Sequence, residues 1–236
     1  MLPQTPAKDS PSTDEFSEFA SSLERTLPIA NRIAAILRKQ IIEGTLQPGE
    51  RIVETRLAKR LQIGQPTVRE SLIILEHEGL VERKPNCGCS VVKLSLGEID
   101  QIYQVRLELE PLAAQLAIEN GGDQKLLQAA FEEMKQAARN GEREAWNRCD
   151  LRFHQTLWLI SGNPFLERNL TQIAVPFFAF AKLVYVQGPP IDLASQAEDH
   201  GKILTALASG DKELAKRTTR EVLLGFRRFW AQVPVL

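Results

Sequence analysis

The sequence predicts a mainly α-helical protein, with a small N-terminal domain of three helices and a β-hairpin and an all-helical C-terminal domain. Three observations predict this fold class. Apolar residues recur at helical spacing through most of the 236 residues. Two short strand-like runs flank the turn-forming segment Pro85–Gly88. After the capping-box pair Ser95 and Glu98, no segment shows the alternation of apolar and polar residues that is typical of a β-strand. We therefore expect three segments, at residues 1–25, 26–95 and 96–236.

Composition indicates a soluble globular protein, with 43% hydrophobic and 25% charged residues. The longest apolar run, residues 173–185, is interrupted by Pro176 and Lys182 and falls short of the ~20 residues that cross a bilayer. The N-terminus shows no secretory signal, and three cysteines give no disulfide framework. We expect a cytoplasmic protein with no membrane partner.

The first 25 residues are rich in Pro and Ser and predict a disordered or flexible arm. Residues 26–95 then carry three helical patterns followed by two strand patterns, in the order of a winged helix-turn-helix domain. These elements are expected at about residues 28–44, at a short segment before residue 62, at 65–77, at 80–84 and at 89–94. The same segment holds 11 Lys+Arg against 7 Asp+Glu, about +4, in a chain of net charge −1. Such a concentration of positive charge suits a polyanionic partner.

The C-terminal domain is predicted to be a bundle of about six or seven helices, because Gly- and Pro-containing breaks separate its apolar periods. The first helix contains Pro111, which we expect to kink it or to loosen its hydrogen-bond ladder. The helices are expected at about residues 95–121, 123–139, 142–161, 165–187, 195–209 and 212–230.

The segment from Gly44 to Val92 resembles the GntR family of bacterial transcriptional regulators, with turn, helix-turn-helix and wing in order. The helical remainder resembles the FadR-type ligand-binding domain called FCD. The resemblance implies a homodimeric, nucleoid-associated repressor that binds a pseudo-palindromic operator and responds to a small carboxylic acid from carbon metabolism. The resemblance also leaves open an acyl-CoA as the effector in place of a small acid. Two rivals are a hydrolytic metalloenzyme, for which no general base or nucleophile motif is evident, and a ligand-blind structural DNA-binding protein.

The third helix is the predicted recognition helix, whose first residues would read base edges in the major groove. Many relatives begin this helix with Ser-Arg-Thr-Pro, whereas Gly-Gln-Pro-Thr stands here, so the operator of a relative cannot be transferred. For Arg69 and Glu70 the alternative is a solvated helix face with an ion pair inside the domain. The predicted DNA-contacting residues are Gln65, Thr67 and Arg69 on this helix, Lys59 and Arg60 before it, and Lys84, Asn86 and Gly88 in the wing.

Asp150 and His154 lie at i and i+4 on one helix face, a spacing that can present two ligands to one metal ion. The family resemblance implies that His200 is a third ligand and that a further His lies 22 residues later. That position is Val222, which cannot bind a metal, and the adjacent Glu221 could replace it only if the helix were rotated. Zn²⁺, Ni²⁺ and Mn²⁺ are all compatible with the set. The alternative is a metal-free polar pocket that binds an organic acid.

Arg106 lies in a stretch that matches the family's Arg-x-x-x-Glu-Pro and could pair with an effector carboxylate or with Glu110 at i+4. In the wing, Cys87 and Cys89 could bind a soft metal or respond to oxidation, or they could simply be small residues filling a tight hairpin. Cys149 is expected to be a small buried residue.

Overall fold

The structure is a computed structural model that describes residues 27–84, 88–187 and 191–231, with the backbone alone described for 182–187. The predicted arm at residues 1–25 and the wing residues Asn86 and Cys87 lie outside the described residues. The chain divides into two compact units between Val92 and Lys93.

The N-terminal unit contains three helices and a three-stranded antiparallel sheet among its described residues. The helices are α1 (Ile29–Ile42), α2 (Glu54–Leu61) and α3 (Gln65–His77), and the strands are β1 (Arg51–Ile52), β2 (Val81–Lys84) and β3 (Gly88–Val91). The sheet order is β1-β3-β2, so β3 is the central strand. The sequence predicted only the β2–β3 hairpin and missed β1, which pairs Arg51 with Ser90 and Ile52 with Cys89.

The core of this unit lies where α1 packs on α3. Ile33, Leu37 and Ile41 of α1 and Leu72 and Leu75 of α3 are buried there. These residues repeat every three or four positions, which is why the helical period could be read from the sequence. The helices are therefore held mainly by a shared apolar stripe.

The C-terminal unit contains six helices among its described residues and no strand there. They are α4 (Leu96–Glu119), α5 (Gln124–Asn140), α6 (Arg143–Ile160), α7 (Pro164–Gln187), α8 (Leu193–Ala208) and α9 (Lys212–Trp230). The capping box is confirmed, because the Ser95 side chain accepts from the Glu98 amide and the Glu98 side chain accepts from the Ser95 amide. Helix α4 continues through Pro111, where the sequence predicted a kink or a loosened ladder.

Helix α4 packs mainly on α9 and also contacts α6 and α7, while α6 lies against α5 and α7. In this packing α4, α6 and α8 bury several polar side chains in a common interior. Of the described residues, no helix combines the length and apolarity required to cross a membrane.

Candidate functional site

The predicted recognition helix α3 presents its first turn to solvent. Gln65 and Arg69 are exposed and Thr67 is half-buried. Gly64 precedes the helix in an extended conformation and Pro66 occupies its first turn, a position that Pro favours. The start of α3 therefore exposes an amide and a guanidinium that are suited to base edges or phosphates.

Arg69 takes part in an ion pair within its own unit, which is the alternative to DNA contact that the sequence left open. Its Nε and Nη2 both lie 3.1 Å from Oε2 of Glu54 on α2. The Arg69 side chain nevertheless keeps 56% of its surface exposed. On the other side, Arg83 of β2 donates to the Arg69 carbonyl at 3.0 Å and lies 3.4 Å from Glu76. These contacts fix the base of the wing against α3 and leave the Arg69 head accessible.

The other predicted DNA-contacting residues lie on the surface of the same unit. Lys59 is exposed and Arg60 half-buried on α2, and Lys84 at the end of β2 lies 2.8 Å from Glu82. Gly88 has a φ of +83°, and a Cβ there would lie 3.5 Å from the Arg51 guanidinium. The glycine thus suits a left-handed position at the start of β3.

The described wing thiol, that of Cys89, gives little support to the redox alternative. Cys89 is buried, and burial raises the pKa of its thiol to about 11, which disfavours the reactive thiolate. Cys149 is half-buried rather than fully buried as the sequence suggested.

In the C-terminal unit, the three predicted metal ligands converge. Helix α6 places Asp150 and His154 one turn apart, and α8 places His200 opposite them. Nε2 of His200 lies 3.1 Å from Oδ1 of Asp150, and Nε2 of His154 lies 3.5 Å from the same oxygen. All three residues are buried, and one ligand atom of each lies within 4.8 Å of the others. Two imidazole nitrogens and one carboxylate oxygen are a donor set that fits Zn²⁺ and related divalent ions.

Both histidines are oriented through their second ring nitrogen. Nδ1 of His200 donates to the Gln196 carbonyl at 2.7 Å, and Nδ1 of His154 lies 2.6 Å from Oε2 of Glu110. With Nδ1 used in this way, each Nε2 faces Asp150. Such outer contacts are typical of metal-binding histidines. The sequence did not assign a role in orienting His154 or His200 to Glu110 or Gln196, because neither is recognisable without the fold.

The fourth ligand position of the family remains apolar here. Val222 is buried on α9, one turn before Phe226, whereas Glu221 is exposed. Glu221 therefore does not replace the missing histidine. Within the described parts of the chain, the group of side chains able to hold a metal ion here has three members.

Arg106 makes the contact with Glu110 that one of the two interpretations of the sequence predicted. It is 1% exposed, its Nε donates to Oε1 of Glu110 at 2.5 Å, and its side chain also lines the cavity beside Asp150 and His154. The guanidinium carbon lies 4.9 Å from the ring centre of Tyr103. Its Nη1 is buried and has no hydrogen-bond partner. A buried donor of this kind is costly unless something pairs with it.

Charge within this interior is balanced by direct contacts. Burial pushes the pKa of Glu110 up, but the charges of Arg106 and His154 outweigh it and lower that pKa to about 2. Burial likewise opposes ionisation of Asp150, yet hydrogen bonds from His154 and His200 hold its pKa well below the usual range. Both carboxylates are therefore ionised near neutral pH and suit cationic partners.

The cavity beside these groups is small, with a volume of about 10 Å³, which is room for roughly one water molecule. Three of its lining residues are charged or metal-ligating and five are aromatic: Arg106, Asp150 and His154, with Tyr103, Phe177, Phe178, Phe226 and Trp230. Aromatic walls with a few convergent polar groups are a composition typical of ligand sites, but an organic acid needs more space than this cavity encloses.

Comparison with known proteins gives two family matches. The model of bacterial regulatory proteins of the gntR family matches residues 29–91, and the FCD domain model matches residues 101–225. The chain is 30% identical over 200 residues to the HTH-type transcriptional regulator YdhC of Bacillus subtilis, covering 83% of this chain and 88% of that protein. It is 27% identical over 189 residues to a probable D-xylose utilization operon repressor of Paenarthrobacter nicotinovorans, covering 80% of this chain and 82% of that protein.

A solved structure shares the same architecture. The structure of E. coli McbR/YncC has a TM-score of 0.75 and 26% sequence identity, and the match covers 88% of this chain and 99% of that one.

Proposed function

Because the chain belongs to the GntR family of bacterial regulatory proteins and carries an FCD domain, it is a transcriptional regulator, and we propose that it is a repressor controlled by a small carboxylic acid. The family and its relatives are regulators rather than enzymes. In this proposal the acid binds beside Arg106 in the C-terminal unit, in a cavity that must enlarge to admit it, and the operator DNA binds at the first turn of α3. We also propose that the active form is a homodimer.

The observation that carries the effector proposal is the unpaired Nη1 of Arg106 beside the buried Asp150 and histidines. Nε of the same guanidinium is bound by Glu110, whereas Nη1 has no partner within the protein and can receive a ligand. A carboxylate is the group that pairs best with a buried guanidinium. Binding of the acid would therefore give the Nη1 donor of Arg106 the partner that it lacks within the protein.

A divalent metal fits the neighbouring donors. Asp150, His154 and His200 would hold it, with Glu110 and Gln196 fixing the two imidazoles. Bound there, the ion would act as a Lewis acid that attracts a carboxylate oxygen. Because Val222 offers no donor, more of the coordination shell is left to solvent or to the effector than in a four-ligand site.

On the DNA side, the proposal rests on the exposed Gln65 and Arg69 of α3 and the basic residues of α2. Two copies related by a two-fold axis would present two recognition helices to half-sites about one helical turn apart. The acid must bind the DNA-competent and the released states with different affinities, since only a difference in affinity shifts their populations.

Metal content and DNA release test the proposal together. Elemental analysis of the purified protein should find near-stoichiometric divalent metal, lost in His154→Ala and His200→Ala. His77→Ala is the matched control, because His77 is exposed at the end of α3, in the other unit. Metal-free wild-type protein after supplementation would overturn the metal proposal and leave the metal-free pocket.

Small acids should release the protein from a DNA fragment flanking its own gene; if no acid does so, the effector proposal fails.

A further inference from the structure

We propose that residues 14–24 of the N-terminal arm dock into a groove on the N-terminal unit, with their apolar side chains against its floor and their carboxylates beside its arginines. The groove lies between α1, the turn that precedes β1, and α2. It is separate from the metal-ligating cluster, which belongs to the C-terminal unit. Docking of the arm therefore does not depend on the proposed effector.

The floor of the groove is apolar. Leu37 of α1, Ile52 of β1 and Leu57 of α2 are buried there, and the half-buried Leu46 and Val53 also line it. The groove has a volume of about 110 Å³, against about 10 Å³ for the cavity of the C-terminal unit. A cavity of ~150 Å³ holds a benzene ring, so this groove, which opens to solvent, has room for an aromatic side chain.

The rim of the groove carries an excess of positive charge. Arg51, Arg56 and Arg60 line it together with one carboxylate, that of Glu50, which accepts a hydrogen bond from the Gln47 amide at 2.9 Å. Arg51 and Arg56 are exposed, and neither has an ion-pair partner in the part of the chain that the structure describes. Unpaired guanidinium groups beside an apolar floor suit a segment that carries both acidic and apolar side chains.

Residues 14–24 combine these two kinds of side chain. They read Asp-Glu-Phe-Ser-Glu-Phe-Ala-Ser-Ser-Leu-Glu, with four carboxylates and no Lys or Arg. Phe16, Phe19, Ala20 and Leu23 have the i, i+3, i+4, i+7 spacing with which one helix face docks in a groove. So short a segment is not a stable helix by itself, and the groove would supply the apolar contact that stabilises it.

The connection to α1 is long enough for this contact. Leu37 lies about 12 Å along α1 from Ile29, the first residue of the helix. The chain from Leu23 to Ile29 can span up to ~20 Å, so Leu23 can lie over the groove. Leu27 and Ile29 are 46% and 55% exposed, which leaves apolar surface uncovered along this path. A tether this short gives an effective concentration in the millimolar range, so an intrinsically weak contact is enough for docking.

Limited proteolysis of the full-length, DNA-free protein with chymotrypsin tests the docking, because cleavage after Phe16 and Phe19 requires a released arm. Arg56→Glu should speed this cleavage at least ~5-fold relative to wild type, as expected when a mostly docked segment is released. Lys59→Glu reverses a charge on the same helix outside the groove lining and should change the rate less than ~2-fold. Equal rates in wild type and Arg56→Glu, or equal rates in the two variants, would overturn the proposal.

A second measurement follows the groove instead of the arm. Labelling of Arg51 and Arg56 with phenylglyoxal, followed by mass spectrometry, should be at least ~3-fold faster in Phe16→Ser/Phe19→Ser than in wild type, since the docked arm shields both guanidinium groups. The exposed Arg217 of α9 is the internal control, and Ser21→Ala/Ser22→Ala is the matched arm variant; both should keep the wild-type labelling.

Equal labelling of Arg51 and Arg56 in Phe16→Ser/Phe19→Ser and wild type would overturn the proposal. Shielding that disappears on dilution would assign the groove to the arm of another copy of the chain and would overturn it as well.

Discussion

Nη1 of Arg220 on α9 donates a hydrogen bond to the carbonyl of Leu107 on α4, at 2.9 Å. In an uninterrupted helix that carbonyl would accept from the amide of residue 111. Residue 111 is Pro and has no N–H, so the ladder of α4 lacks this bond. Helix α9 therefore supplies the donor that Pro111 cannot, which explains how α4 continues through a buried proline.

Arg220→Met should lower the free energy of unfolding by more than Glu108→Gln does, because the Leu107 carbonyl is then left without a partner. Urea denaturation measures this loss. The Arg220 side chain also bonds the exposed Glu108, and Glu108→Gln is the control for that surface pair, whose loss should cost little stability.

A double-mutant cycle separates the carbonyl bond from other effects of Arg220. In a Pro111→Ala background the amide of residue 111 can bond the Leu107 carbonyl again, so Arg220→Met should cost less stability than it does in wild type. An equal cost in both backgrounds would show that Pro111 and Arg220 are not coupled.

Glu110→Gln should weaken Zn²⁺ binding by about 10- to 100-fold, as expected when the outer partner of a metal-binding histidine is lost. The glutamate accepts from both Arg106 and His154, and a glutamine has only one acceptor oxygen for these two donors. Competition titration with a chromophoric chelator gives the affinity. Glu108→Gln, on the solvent side of the same helix, should leave it unchanged. Equal affinities of Glu110→Gln and wild type would contradict the role assigned to Glu110.

The helices of this protein were predictable because their signals are local. Apolar period and capping residues placed α9 at Lys212–Trp230, as observed, and the other C-terminal helices within about two residues. Strand β1 was missed because two residues carry almost no pattern. Its existence depends on pairing with β3, nearly 40 residues later in the chain.

The candidate site was predictable in part for the same reason. The i, i+4 spacing pointed to Asp150 and His154, and family resemblance added His200. Glu110 could not be found as a partner of His154, because 44 residues separate them and only the packing of α4 on α6 brings them together. The free nitrogen of Arg106 is likewise a property of the packed interior and of no sequence motif.

Gln62→Gly should stabilise the N-terminal unit by about 0.5–1 kcal/mol. Gln62 ends α2 with a φ of +54° in the left-handed region, which glycine adopts without the steric cost that other residues pay. Thermal unfolding followed by circular dichroism would detect the shift. Gln62→Ala keeps a Cβ and serves as the control, with no gain expected. A glycine variant no more stable than the alanine variant would argue against strain at this turn.

Arg69→Gln should weaken DNA binding by about 1–3 kcal/mol, which is the usual loss of binding free energy when an arginine that contacts a base edge is replaced. In the free protein the Arg69 head is shared with Glu54, whose carboxylate would also repel the DNA backbone. Glu54→Gln should therefore tighten binding and leave the stability nearly unchanged. Fluorescence anisotropy with a DNA fragment flanking the chain's own gene measures both effects. Glu70→Gln is the matched control, because it removes one negative charge beside Arg69 without touching the pair. If Glu54→Gln tightens binding no more than Glu70→Gln does, the Arg69–Glu54 pair does not compete with DNA, and general charge alone explains the gain.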